Sequence, residues 1–375
     1  MSDQIEYYLK IQPFQRDVAD LKLFLNRRSA LYRHLGIVPK FIFQQSILEF
    51  GPGFGENAIF PLLQKPSRYL FVDAIENCLE KTRERLTSLS FSETQLEYRL
   101  SSIENFMSTE LFDLVICESV IPREPQPEIL LAKVAESVSI GGVLVITCQD
   151  PVSTFAELLR RLLALLVVDP EESLEAKLKR LLPLFDPHLK TIQGMTRSSS
   201  DWILDNLLRP WESASFSIPD AIHTLKDRFD IHGTSPRFIL DSRWFRTIHE
   251  EDFGFHAVAE KSYYANVHNL INHRVWTPSI SEQLNKTLLE LCSKIFQEIQ
   301  AFEEQRDRQL VWSLLGDLQQ VIDLAAIFSE DTERALRDYH RVLQKYLQEG
   351  VLDPFVEFAP LFGRGQQYVS FIRRC

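Results

Sequence analysis

Glycine is scarce in this chain, with 13 in 375 residues, and so are long apolar runs, the longest being the seven residues Leu162 to Val168. A run that short cannot cross a bilayer as a helix, so no membrane partner is expected. The opening residues Met1 to Glu6 lack the basic and then apolar stretch of a secretion signal, which gives a cytoplasmic expectation. The cysteines, at 78, 117, 148, 292 and 375, are odd in number and never fall in a CxxC spacing. They read as reduced thiols, so neither zinc nor disulfides are implied and no metal site is expected. Basic charge is also in deficit, 41 Lys and Arg against 52 Asp and Glu for a net charge of −11. Such a balance opposes sequence-independent attraction to nucleic acid phosphates. Arg160, Arg161, Lys177, Lys179 and Arg180 lie close enough in sequence to form a local basic patch, or simply a solvated helix face.

What is present is an ordinary globular composition, 45% hydrophobic and 25% charged, in a chain long enough for two lobes. Between about 45 and 150, short apolar runs alternate with amphipathic stretches, the pattern of strand and helix units in a parallel sheet. Strands are expected at Ser46 to Phe50, Tyr69 to Val72, Gln95 to Leu100, Phe112 to Cys117 and Val143 to Thr147, the last introduced by Gly141-Gly142 as a stop for a helix over Pro127 to Val138. The fold class is therefore α/β, a Rossmann-like doubly wound sheet with a large, mostly helical carboxyl-terminal half.

The domain boundaries that follow are a helical segment over 1–44, the Rossmann-like domain over 45–150, a mostly helical region over 151–360 and a terminal strand returning to the sheet within 361–375. Inside the helical region the residues Phe229 to Gly233 and Phe238 to Leu240 look extended. Helices at about Ser281 to Arg306, Gln309 to Phe328 and Asp331 to Gln348 carry apolar residues at three- and four-residue spacing and suit a packed bundle or a homodimer surface.

The segment Ile47-Leu48-Glu49-Phe50-Gly51-Pro52-Gly53-Phe54-Gly55 concentrates three of the 13 glycines in five positions, between an expected strand and a helix starting near Glu56. Crowded glycines allow left-handed torsions and let a ligand approach without Cβ interference. The next strand ends at Asp73, where a carboxylate can accept from both hydroxyls of a ribose. Adenosylmethionine and NAD both suit that acid. The spacing differs from the dinucleotide form G-x-G-x-x-G, and Glu56 at the helix start repels phosphate, which favours a sulfonium ligand.

These residues resemble the class I S-adenosylmethionine-dependent methyltransferases over the first 150 positions. The resemblance implies S-adenosyl-L-methionine as cofactor, with Glu49, Gly51, Gly53, Phe54 and Gly55 around its methionine part and Asp73 on its ribose. It places Ser102 and Ile103 near the adenine, although the family often has an acid where Ser102 stands. Glu118, at the end of the strand Phe112 to Cys117, faces the cofactor crevice on the same grounds.

Methyl transfer asks for in-line placement of the acceptor, and for a base when that acceptor is a hydroxyl. The polar run Tyr263 to Arg274 offers Tyr264 and His268 on one helix face and Asn269 and His273 on the next, so Tyr264, His268 and His273 are the catalytic candidates. Secondary candidates are Trp202, Asp205 and Asn206 behind a helix cap, Arg237 and Arg243 for an anionic acceptor, Arg364 in a glycine-flanked turn, and Asp150 at the end of the last strand. The expected function is methylation of a small polar acceptor, such as a sugar, a polysaccharide precursor or a secondary metabolite. An NAD(P)-dependent oxidoreductase and a non-catalytic assembly protein with a vestigial cofactor fold are the alternatives.

Overall fold

A computed structural model describes residues 7, 20–210, 215–237, 241–248 and 255–375. The extended stretch expected at Phe238 to Leu240 and most of the first 19 residues lie outside the described residues. The chain divides into two compact units, one made of 1–148, 210–263 and 367–375, the other of 149–209 and 264–366.

The first unit is built on a seven-stranded sheet: β1 Ser46–Phe50, β2 Arg68–Asp73, β3 Gln95–Leu100, β4 Phe112–Cys117, β5 Val138–Cys148, β6 Phe229–Ser235 and β7 Gln367–Arg373, in the order β3-β2-β1-β4-β5-β7-β6. The strands β1 to β5 are parallel, whereas β7 runs antiparallel to β5 and to β6. Both faces of the central strands are buried, which is why β1, β2 and β4 read as nearly continuous apolar runs. One face packs Ile47, Tyr69, Phe71, Leu114 and Ile116 with Tyr32 of the helix Leu21–His34. The chain leaves β1 toward β2 and β3 and then crosses back to β4 beside β1. In open parallel sheets such a reversal opens a crevice at the carboxyl ends of the two strands.

Two expectations near the sheet need correction. The strand β5 starts at Val138 and runs through Gly141-Gly142, while the helix before it ends at Ala135. The glycines are needed inside the strand: Gly141 has φ +74°, and a Cβ at Gly142 would meet the Ser139 and Asp113 carbonyl oxygens at 2.9 and 3.0 Å. The pairing of β4 with β5 shifts register at the same place, so the pair makes a bulge. The helix expected from Glu56 is a single turn, Ile59–Leu62, because the residues from Gly53 to Ala58 form turns and a bend.

The second unit is helical: Phe155–Val167, Leu174–Leu189, Ser199–Ile203 continued by a π turn over Leu204–Leu208, then Glu282–Gln305, Arg308–Phe328 and Glu330–Glu349. The last three pack in sequence through Leu288, Cys292, Ile295, Phe296 and Ile299 of the first, Leu314, Leu318, Val321 and Ile322 of the second, and Leu336, Tyr339 and Leu343 of the third. By length and composition Arg308–Phe328 is long and apolar enough to span a bilayer; within the unit its buried Asp317 pairs with Lys294 at 2.8 Å.

The five basic residues from Arg160 to Arg180 make no patch, because Arg160 and Arg161 are interior. Arg160 lies 3.8 Å above the Phe362 ring and donates to the carbonyls of Ala156 and Ala359, and burial lowers its pKa to about 9. Arg161 forks onto Glu303 at 2.7 Å and donates to the carbonyls of Leu207 and Arg209, anchoring the π turn.

Candidate functional site at the sheet edge

Strand register brings the sequence candidates of the first unit to one level. Phe50 pairs with Val72 on one side and with Cys117 on the other. The next residue of each strand is therefore Gly51, Asp73 and Glu118, side by side at the carboxyl edge. Asp73 pairs in turn with Leu100, and Ser101 donates its amide to the Asp73 carbonyl at 2.9 Å, which brings Ser102 and Ile103 beside Asp73.

The turn needs its glycines. Gly51, Gly53 and Gly55 have φ of +65°, +61° and +79°, left-handed values that side chains resist. A Cβ on Gly51 would meet Val120 Cγ2 at 2.6 Å and one on Gly55 would meet Thr82, whereas one on Gly53 would meet nothing within 4 Å. Gly53 thus presents bare backbone to open space. The helix Glu76–Leu89 holds the turn in place: Thr82 Oγ1 donates to the Gly53 carbonyl at 3.1 Å, Arg85 Nε to that of Phe54 at 2.8 Å, and Arg85 pairs with Glu56 at 2.9 Å. Phe54 contributes its backbone to the turn, while its ring is buried with Ile75 and Cys78.

The carboxylates differ in surroundings. Asp73 is half-buried and Oδ1 accepts the Ile75 amide at 2.9 Å. Burial raises its pKa to about 6 against the lowering effect of the Ile75 and Ala74 amides. Glu49 is 3% exposed, and Tyr69 donates its hydroxyl to Oε2 at 2.6 Å. Burial pushes Glu49 up to about 7, opposed by the Tyr69 hydrogen bond. Glu118, 6% exposed, receives a two-pronged contact from Arg28, at 2.7 Å on Oε1 and 3.0 Å on Oε2, and Asn57 Nδ2 also donates to Oε2 at 2.9 Å. Ser119 follows with φ +64° and donates its amide to Thr147 Oγ1 at 2.8 Å. Ser102 Oγ accepts from Asn105 Nδ2 at 3.0 Å, so this hydroxyl shapes its own turn, and Ile103 is half-buried.

Arg28 and Tyr32 escaped the sequence reading. They sit four residues apart on a helix whose remaining residues are largely solvated, and the Arg28 guanidinium lies 5.4 Å from the Tyr32 ring centroid. The one local hint is an arginine and an aromatic residue at helical spacing; the partner Glu118 is 90 residues away.

The candidates Tyr264, His268 and His273 belong to the second unit. Their expected shared helix face does not form, since the helix Phe255–Asn266 ends before His268 and a 3-10 turn, Val267–Leu270, follows. Asn272 beyond it is fixed by Thr332, and Asn269 Oδ1 accepts the Thr277 amide. His268 is buried with Nε2 at 3.1 Å from Thr277 Oγ1 and 3.2 Å from the Pro278 carbonyl, and burial lowers its pKa. His273 Nδ1 lies 3.1 Å from the Phe362 carbonyl, and Lys286 sits over the Tyr264 ring at 4.7 Å. These polar groups hold the 267–279 loop together. Arg364 does the same, donating to the Asn269 and Val275 carbonyls. Asp205 pairs with Arg197, Asn206 donates to the Trp202 carbonyl, Asp150 Oδ1 accepts the Ser153 amide, and Arg243 grips Asp241. Arg237 is exposed. Among the described residues no three His, Cys, Asp or Glu side chains gather as metal ligands.

With that geometry in hand, residues 48–146 match the family model described as a methyltransferase domain. No curated protein matches the chain. Among solved structures the chain is similar to the N-methyltransferase NodS from Bradyrhizobium japonicum WM9 in complex with S-adenosyl-L-homocysteine, at 18% identity over 33% of this chain and 61% of that one, with a TM-score of 0.28. It is also similar to PKMT2 from Rickettsia typhi in complex with AdoHcy, at 14% identity over 64% and 50% of the two chains with a TM-score of 0.44. A third is an S-adenosylmethionine-dependent methyltransferase from Mesorhizobium loti, at 19% identity over 30% and 50% with a TM-score of 0.26. The chain thus spans half to about three fifths of the length of these structures. The matched segment holds most of β1, all of β2 to β4, most of β5 and the whole glycine turn, and over it the chain is similar to a methyltransferase domain.

Proposed function

We propose that this protein is an S-adenosylmethionine-dependent methyltransferase acting on a small polar acceptor. The observation that carries the reading is the bare backbone at Gly53, open to space, on the same sheet edge as the ribose-type acid Asp73 and inside the matched segment. The residues fit the group. Asp73 has a carboxylate that would accept ribose hydroxyls, the Gly51 to Gly55 turn would leave room for the methionine portion, and Ser102 and Ile103, beside Asp73, would border the adenine. When bound, the cofactor supplies an electrophilic methyl on a sulfonium. The chain contributes orientation; of the buried carboxylates, Glu118 is neutralised by Arg28, and Glu49, pushed up to about 7 by burial, would add negative potential only when ionised.

The net charge of −11 disfavours a polyanionic substrate and supports a small acceptor. Calorimetric titration with S-adenosylhomocysteine tests the cofactor, with saturable 1:1 heat expected. A folded chain that gives no heat with it but shifts the NADH absorbance on titration would transfer the assignment to a nicotinamide enzyme.

A further inference from the structure

The matched domain begins at residue 48, yet the carboxylate at the end of β4 is satisfied from outside it, by Arg28 on the helix Leu21–His34. Arg28 is 5% exposed, and its two terminal nitrogens take the two Glu118 oxygens in the fork geometry that fixes a carboxylate's orientation. The contact does not end at Glu118. Its Oε2 also holds Asn57, which lies two residues past Gly55, and Val120, two residues past Glu118, packs where a Cβ on Gly51 would stand. Both ends of the glycine turn are therefore braced by the segment 118–120, and that segment is braced by Arg28. On its other flank the turn is held by Thr82 and Arg85.

We propose that Arg28 is a positioning residue of the cofactor site, which fixes Glu118 and, through Asn57, keeps the glycine turn in its left-handed, open form. The inference rests on the cofactor reading above. A buried ion pair is costly to desolvate and seldom adds net stability against an apolar pair of the same volume, so an orienting role is the physical return for burying this one. The charges around the turn agree: Arg28 pairs with buried Glu118, Arg85 pairs with buried Glu56, and buried Glu49 is held by the Tyr69 hydroxyl. Lysine at position 28 keeps the charge but reaches only one oxygen at a time, so it restores charge without orientation.

The test uses the full chain as Arg28→Lys, as Arg28→Met and as the double variant Arg28→Met with Glu118→Gln, in which no buried charge is left unpaired. Cooperative melting identifies the folded variants. Hydrogen exchange at the Gly53, Phe54, Gly55 and Asn57 amides is followed without ligand, and S-adenosylhomocysteine affinity is measured by calorimetry. The expected result is a folded double variant whose turn amides exchange about tenfold faster and whose affinity falls about tenfold, with Arg28→Lys recovering part of the affinity and little of the protection. If the wild type binds S-adenosylhomocysteine and the folded double variant matches it in affinity and in exchange, the role of Arg28 is overturned and the function stands. If the wild type itself does not bind, the functional reading falls and takes this inference with it.

Discussion

Two polar stretches drew attention in the sequence, the glycine turn after β1 and the run from Tyr264 to Arg274, and the structure treats them in opposite ways. At the turn the backbone takes torsions that side chains resist and leaves Gly53 facing open space. In the 264–274 run several polar groups are paired with protein, His268 Nε2 with Thr277 and Pro278, Asn272 with Thr332 of the helix Glu330–Glu349 and His273 with the Phe362 carbonyl, while the buried His268 Nδ1 has no partner. Residue type alone does not separate a site from a well-satisfied loop. What distinguishes the two here is that Gly53 takes a left-handed torsion with nothing within 4 Å of where a Cβ would stand, whereas the polar groups of the run are mostly paired with protein.

The contrast can be broken most sharply at Gly53. Gly53→Val forces a β-branched side chain to φ near +61° and fills the open space. The expected outcome is a loss of S-adenosylhomocysteine affinity of about a hundredfold or more in calorimetry, with a folded chain by circular dichroism. Retained affinity would remove the turn from the site.

Next in size is a pH effect at Glu49, an acid whose native pKa, about 7, exceeds its ordinary 4.5. The native state then holds a proton that the unfolded state has released, so stability falls as pH rises from about 4.5 through about 7 and is level above. The shift corresponds to about 3 kcal/mol. Glu49→Gln should reduce that decline when denaturant midpoints are compared at pH 5 and pH 8, leaving the share carried by Asp73 and Glu298, whose pKa values are also raised; an unchanged slope would mean that Glu49 does not contribute.

In the other region, His268→Asn should cost about 2 kcal/mol of stability by loosening the Thr277 and Pro278 contacts, read as a lowered denaturant midpoint. Methyl transfer below the melting range should then change by less than about tenfold, whereas a general base would lose about a hundredfold or more. The smallest effect is expected at Asp73→Asn, which keeps an acceptor for the Ile75 amide and removes one for a ribose hydroxyl. Affinity should drop about tenfold in calorimetry, with stability near that of the wild type.

Much of this was legible beforehand where the physics is local. The strands β1 and β4 begin and end where the apolar runs do, because a parallel strand buried on both faces is mostly apolar, whereas the partly exposed edge strand β3 shows as an alternation of polar residues with Leu96, Tyr98 and Leu100. Asp73 and the glycine turn were legible because register at a sheet edge follows from strand ends. Gly141-Gly142 misled, since glycines that usually punctuate elements serve here as a bulge inside β5. The break at Asn266 was hidden because the bonds that replace the helix come from Thr277 and Pro278, beyond the run itself. Arg28 was hidden for the same reason at longer range: nothing near position 28 announces a carboxylate at position 118.

The edge formed by Gly51 to Gly55 and Asp73 is proposed to cradle an adenosyl group. Crystals grown with S-adenosylhomocysteine test it most directly. The expected electron density places both ribose hydroxyls on the Asp73 carboxylate and the methionine portion against Gly53; a ligand seated elsewhere, with protein side chains filling the space before Gly53, would contradict it.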